Sequence, residues 1–273
     1  MPINQETIDQ FNQDGYIFRR KLFDDEEVKL LLKAARDTQA IQENAANIED
    51  ADGKISKLTL WNHPNDDIFG MVGRCHRVVD TSEALLGDEV YHYHSKLSMK
   101  EPKVGGAWEW HQDYGYWYQN GCLFPDMLSC MIALDAATIE NGCMQVLKGS
   151  NRLGRIEHGF IGDQTGADME RVDEAKKVLE LVYAEMEPGD ALFFHGNTLH
   201  CSAANESEYP RWMLIGCYNT KHNNPYKEHH HPNYTKLNKV KDSAIKDYSP
   251  HGVDSSTDYI NTHEDDTTKA GKE

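Results

Sequence analysis

The texture of the chain changes near residue 90, and nothing else in it constrains the fold as much. From there on, short runs rich in Val, Ile, Phe, Tyr and Trp alternate with Gly, Pro, Asn and Asp. The runs Glu89–Leu97, Met127–Asp135, Leu181–Met186, Ala191–His195 and Arg211–Thr220 read as strands. Before the change, roughly residues 4–50 look helical. Asp24 followed by Glu27 has the form of a capping box, and Val28, Leu31, Leu32 and Ala35 share one helical face. A second periodic stretch spans about residues 66–86, with Ile68, Phe69, Val72, Val78 and Leu85. Helices followed by a series of short strands predict a mostly β chain, an antiparallel barrel or jelly roll with helices on its outside.

The 273 residues, 39% of them hydrophobic, suit one generous globular domain. We place it at residues 1–225, helical over 1–88 and barrel from about 89, followed by an extension over 226–273. Gly162–Glu180 is polar and then helical in pattern, an insertion between strands. The last twenty residues or so, rich in Asp, Thr, Ser and Lys, are expected to be disordered. A net charge of -17 repels nucleic acid and anionic membrane, so neither is an expected partner. Cys75, Cys122, Cys130, Cys143, Cys201 and Cys217 form no C-x-x-C pair and read as buried thiols of a reducing compartment. With no signal-peptide pattern and no membrane-length apolar run, the expected location is cytoplasmic.

The run Trp108-Glu109-Trp110-His111-Gln112-Asp113-Tyr114 carries the first chemical signal. On a strand, His111 and Asp113 project to the same face. They supply two of the three ligands of a 2-His-1-carboxylate triad, which leaves metal positions open for a chelating co-substrate and O2. The third ligand comes from farther along. His195 and His200 compete, and His200 is favoured because Arg211 follows eleven residues later inside an apolar strand. A buried arginine is costly without an anion, and a metal-bound dicarboxylate supplies one through bidentate pairing. His195 is then a core or supporting histidine.

The ordered set His111-Gln112-Asp113, Leu134-Asp135-Ala136, Asn141 through Asn151, Pro188-Gly189-Asp190, His200 and Arg211 resembles the phytanoyl-CoA dioxygenase family over roughly residues 8–225. Within that family the chain looks like a bacterial-type member, similar to ectoine hydroxylase and 2-aminoethylphosphonate dioxygenase. The resemblance implies a double-stranded β-helix, cupin-like, with Fe(II) on His111, Asp113 and His200, and with 2-oxoglutarate and O2 as co-substrates. It implies that Arg211 and Ser202 anchor the far carboxylate of oxoglutarate. Ser129, Lys57 and Lys96 fall near positions that contact the co-substrate in relatives, and Trp108 is a candidate wall of the same pocket. Since Asp113 is a carboxylate, hydroxylation is expected over halogenation.

For the primary substrate, Tyr114, Tyr116, Trp117, Trp61 and Asn197 are candidate pocket residues. No lysine-rich patch suits a CoA phosphate, so a small polar metabolite is favoured: an amino acid, or an aminophosphonate such as 2-aminoethylphosphonate. An acyl-CoA hydroxylase is the alternative within the family. A zinc hydrolase and a non-catalytic binding barrel are the alternatives outside it. His229-His230-His231 reads as a solvated loop.

Overall fold

The computed structural model describes residues 3–161, 164–248, 253 and 257–260. Helix α1 (Gln5–Asp14) is capped by Asn4, whose side chain accepts from the Thr7 amide, and it ends at Gly15 with φ 85°. That left-handed turn sends the chain directly into β1 (Tyr16–Arg19). A side chain at Gly15 would also meet Thr198 Oγ1 at 2.7 Å. The capping box is formed at α2 (Asp25–Asp37): Asp24 accepts from the Glu26 and Glu27 amides, and Glu27 accepts from Asp24 N at 2.9 Å. Val28, Leu31 and Ala35 of α2 are buried. There follow α3 (Gln39–Glu43), β2 (Ala46–Glu49), β3 (Ile55–Trp61), α4 (Ile68–Arg74) and α5 (His76–Leu86). The opening segment is therefore less helical than its periodicity suggests. The strands β1 and β2 have four residues each, too short for alternation to stand out.

The second half contains β4 (Val90–Lys100), β5 (Trp108–His111), α6 (Asp113–Trp117), β6 (Met127–Ala133), β7 (Met144–Leu147), β8 (His158–Ile161), β9 (Gln164–Ala167), α7 (Met169–Val178), β10 (Leu181–Ala184), β11 (Ala191–His195), β12 (His200–Ser202) and β13 (Arg211–Thr220). A short α8 (Ala244–Tyr248) lies in the extension. Seven strands form one antiparallel sheet in the order β1-β11-β6-β13-β4-β3-β2, and β10-β7-β12-β5 form a second. The two sheets face each other. Met213, Ile215 and Cys217 of β13 share a buried cluster with Met144 and Val146 of β7. On the other face of β13, Trp212, Leu214 and Tyr218 pack with the buried residues of α2, α4 and α5. Period-two alternation thus divides the interior into a lumen between the sheets and a core beneath the helices.

The extension is part of this packing. Ile245 of α8 is fully buried in the helix-side core, and Val240 bridges Cys75. The tail expected to be disordered lies mostly outside the described residues. Within it, Ile260 N donates to Leu60 O at 2.9 Å, placing 257–260 beside β3. The six cysteines are buried and unpaired. Among the described residues, no helix is long and apolar enough to cross a membrane.

Candidate metal centre

The pair His111 and Asp113 is not carried by one strand, as alternation suggests. His111 ends β5, Gln112 is extended at φ -114° and ψ 133°, and Asp113 starts α6. The extended link still leaves both side chains on one side. Gln112 fixes the junction. Its side chain donates to Gly154 O and Asn197 O and accepts from the Ile156 amide, while its own amide donates to His158 Nε2. Helix α6 can approach His158 because residue 115 is glycine: a Cβ there would lie 2.1 Å from the imidazole.

Strand β12 then places His200 opposite His111 in register. One ligand atom from each of His111, Asp113 and His200 falls within a 4.8 Å cluster. His111 Nε2 and His200 Nε2 lie 3.8 Å and 4.0 Å from Asp113 Oδ1. Each imidazole commits Nδ1 to a backbone carbonyl, His111 to Glu109 O at 2.7 Å and His200 to Thr198 O at 2.9 Å. That fixes the tautomer and turns the Nε2 lone pairs toward the centre. Asp113 is buried, with Oδ2 accepting from Ser129 Oγ and Oδ1 from the Tyr116 hydroxyl, both at 2.6 Å. Burial opposes the charge of Asp113, but Lys96, the two histidines and the Ser129 hydrogen bond outweigh it. The carboxyl is held well below the usual range. Burial also pushes His111 and His200 down. An anionic carboxylate beside two neutral imidazoles is the donor set a divalent transition metal requires, so these residues fit one.

The second charged feature lies deeper in the lumen. Arg211 is 2% exposed and donates to Gly142 O at 2.6 Å, while its buried Nε has no partner. Burial pushes its pKa down to about 10, so it remains charged at neutral pH. Its register partner on β4 is a second buried basic side chain, Lys100, which donates to Ser202 Oγ at 2.7 Å and to the carbonyl of Ala203 at 2.5 Å. Burial and then Arg211 push Lys100 well below its ordinary value. Among the described residues, no acidic side chain forms an ion pair with either. A buried guanidinium without a counter-ion, beside a lysine and a hydroxyl, fits an incoming carboxylate.

Other expected residues are distributed unevenly. Lys96 points to the metal centre, its Nζ 3.9 Å from Asp113 Oδ1. Ser129 is committed to Asp113 and not free for a co-substrate. Trp108 is half-buried opposite Ser202 in register. Tyr116 stacks near His111, with ring centroids 6.1 Å apart. Trp117 packs edge-on against Tyr93 and His94. Tyr114 is a structural plug whose hydroxyl donates to Cys122 O. Asn197 is buried with Oδ1 unpartnered. Two residues fall away from the site. Lys57 pairs with Met99, which faces the helix-side core, and Trp61 packs there against Phe69. The register of β3 puts both on the outer face of the sheet. His195 points out of the lumen toward Phe11, its Nδ1 accepting from Asn197 N. The loop expected to be solvated is packed instead: His231 is 8% exposed and stacked on His94, with ring centroids 4.5 Å apart. Sequence reasoning missed Lys100, although the cost of burying charge that singled out Arg211 applies equally to a lysine ending an apolar, aromatic strand.

Comparison with known proteins places this geometry. The chain is 28% identical over 234 residues to L-proline trans-4-hydroxylase of Streptomyces griseoviridis, covering 79% of this chain and 86% of that one. It is 33% identical over 144 residues to methylphosphonate hydroxylase of Gimesia maris, covering 52% and 50%. Among solved structures, EctD from S. alaskensis with bound Fe superposes with a TM-score of 0.74 over 88% of each chain, at 25% identity. The same protein is also known with 2-oxoglutarate and 5-hydroxyectoine. The phytanoyl-CoA dioxygenase (PhyH) family profile matches residues 11–213, and the chain belongs to that family.

Proposed function

We propose that this protein is an Fe(II)- and 2-oxoglutarate-dependent dioxygenase that hydroxylates a small polar metabolite, releasing succinate and CO2. The observation that carries this reading is the pairing of two features in one lumen. An anionic 2-His-1-carboxylate cluster lies next to a buried, charged Arg211 and a buried Lys100, neither with an acidic partner among the described residues. A zinc hydrolase accounts for the first feature and leaves the second unexplained.

In this reading, His111, Asp113 and His200 hold the metal, and Arg211 takes the far carboxylate of oxoglutarate. Ser202 accepts a hydrogen bond from Lys100, so its own O–H is left to donate to that carboxylate. Bound iron supplies activation of O2 and the oxidative decarboxylation of oxoglutarate. The chain orients the reactants and keeps water out. Ser129 and Tyr116 hold Asp113 by both oxygens, fixing the direction in which it offers a lone pair. Met131, Met213 and Ile215 give the lumen apolar walls between its two charged ends. Relatives named for proline and methylphosphonate support a small polar substrate over an acyl-CoA.

We also read residues 1–225 as one catalytic domain and 226–273 as an extension, of which residues 240 and 245 pack onto it. The location is read as cytoplasmic, supported by six unpaired thiols. The test is succinate release from oxoglutarate by the iron-loaded protein under air, with L-proline, methylphosphonate and 2-aminoethylphosphonate as candidate substrates. Succinate formation that is lost in Asp113→Ala supports the reading. Its absence in a folded, iron-loaded wild type contradicts it.

A further inference from the structure

The segment around His231 packs on His94, a lumen-facing side chain beside the metal centre, and charge accounting there points to a ligand. Lys96 lies on the lumen face of β4, since its register partner Ile215 belongs to the lumen cluster. Among the described residues, the one ion pair of its ammonium is with Asp113 at 3.9 Å, beyond hydrogen-bond range. Both oxygens of Asp113 already accept from Ser129 and Tyr116. A divalent metal on Asp113 would take up that negative charge and leave Lys96 without a counter-ion. The keto-acid carboxylate of oxoglutarate and Asp113 together balance the two charges of the metal, so the positive charge of Lys96 is left over.

His94, two residues before Lys96, also faces the lumen. Its register partner Cys217 reaches Ser129 Oγ at 3.3 Å. His94 Nδ1 is enclosed without a hydrogen-bond partner. Burial keeps the ring neutral, so it carries one N–H. An enclosed, unpaired N–H costs more than an enclosed lone pair, which puts the proton on Nε2. The ring is held in place from outside the barrel. Asn62 donates to His230 O at 2.7 Å, which turns its Oδ1 to accept from His231 Nδ1 at 2.9 Å, and His231 stacks on His94 at an interplanar angle of 24°.

We infer that Lys96 and His94 form a subsite for a compact oxyanion, carboxylate or phosphonate, of the primary substrate, and that His231 of the C-terminal extension is the positioning residue that orients His94. This rests on the oxygenase reading and extends it to the charge of the substrate and to the role of the extension.

The test is anaerobic calorimetry on the full chain loaded with Fe(II) and oxoglutarate, using methylphosphonate and L-proline as probes and ethylammonium as the cationic control. The wild type should bind at least one oxyanion probe and not ethylammonium. Lys96→Met and His94→Phe should each weaken that binding at least tenfold, and by a clearly larger factor than they weaken oxoglutarate. His231→Phe keeps the stacked ring but breaks the bond to Asn62, and should weaken the same probe by a smaller factor. Melting temperatures of the variants report folding, and a variant that does not fold leaves the remaining substitutions to decide. Three results overturn the inference: no oxyanion binding by the wild type, unchanged probe affinity in the folded variants, or an equal loss of oxoglutarate affinity in Lys96→Met, which would assign the cation to the co-substrate. Failure of oxoglutarate itself to bind the iron-loaded wild type would instead strike the oxygenase reading.

Discussion

The two ends of the lumen are two residues apart on β12, His200 at one and Ser202 at the other, yet they are built on opposite electrostatics. At the outer end a carboxylate is satisfied by Ser129 and Tyr116, and two imidazoles are held neutral with their lone pairs inward. At the inner end a charged arginine and a lysine are buried side by side, with a hydroxyl and carbonyls as their hydrogen-bond partners. The outer end is complete as a hydrogen-bond network, with its ligating atoms gathered at one point. The inner end is deficient in charge. A protein keeps an unpaired buried cation at a cost of several kcal/mol, so its presence signals a ligand more specifically than the cluster of histidines does.

The contrast breaks first at Asp113. Asp113→Ala should abolish turnover and weaken iron binding by more than ~100-fold, above the ~10–100-fold range of groups that only orient a ligand; iron titration with a chelator competitor measures it. At the inner end, Arg211→Met should weaken oxoglutarate binding by about 2–5 kcal/mol, roughly 30-fold or more, with iron affinity unchanged. Removing an unpaired buried charge should also leave the ligand-free protein as stable as wild type or more stable, by up to ~4 kcal/mol. A urea titration with and without oxoglutarate checks both signs, and a destabilised ligand-free Arg211→Met would show that Arg211 serves packing. The support of the carboxylate is a smaller effect. Ser129→Ala and Tyr116→Phe should each lower iron affinity by ~10-fold without altering oxoglutarate affinity once iron is saturating.

The smallest expected change is in pH. His111 and His200 are pushed below the ordinary value of 6.5, so their neutral, ligating forms persist as pH falls through 6.5. Iron retention should therefore hold flat from pH 8 to below 6.5, where unperturbed histidines would already compete for protons. Arg211 keeps its charge throughout that range, so this anchor of the oxoglutarate carboxylate does not titrate there. A loss of iron centred at 6.5 would mean that the imidazoles are solvated. The sign is that of a base with a depressed pKa: protonation, and with it the loss, is displaced to lower pH.

How much of this was legible beforehand follows from which signals are local. The capping box at Asp24 and Glu27 is a contact within one turn, and it formed where the residues indicated. The strands over 127–133, 191–195 and 211–220 carried their own composition. The four-residue strands β1 and β2 did not, because their pairing partners are distant in sequence. The metal triad could be read because His111, Asp113, His200 and Arg211 follow one another in an ordered set, whereas its local backbone could not: α6 is one turn of helix whose aromatic content suggests a strand. Lys57 and Trp61 misled because a register decides which face a side chain takes, and register is a property of two strands. His231 was read as solvated because nothing in the run of three histidines reveals Asn62, which anchors it from 169 residues away.

The most direct test of the central claim is anaerobic visible absorption of the metal-free protein on adding Fe(II) and then oxoglutarate. A charge-transfer band should appear only with both present, vanish in Asp113→Ala, and require much higher oxoglutarate in Arg211→Met. A folded wild type that binds iron yet gives no band with oxoglutarate would contradict the account of the two ends as one composite site.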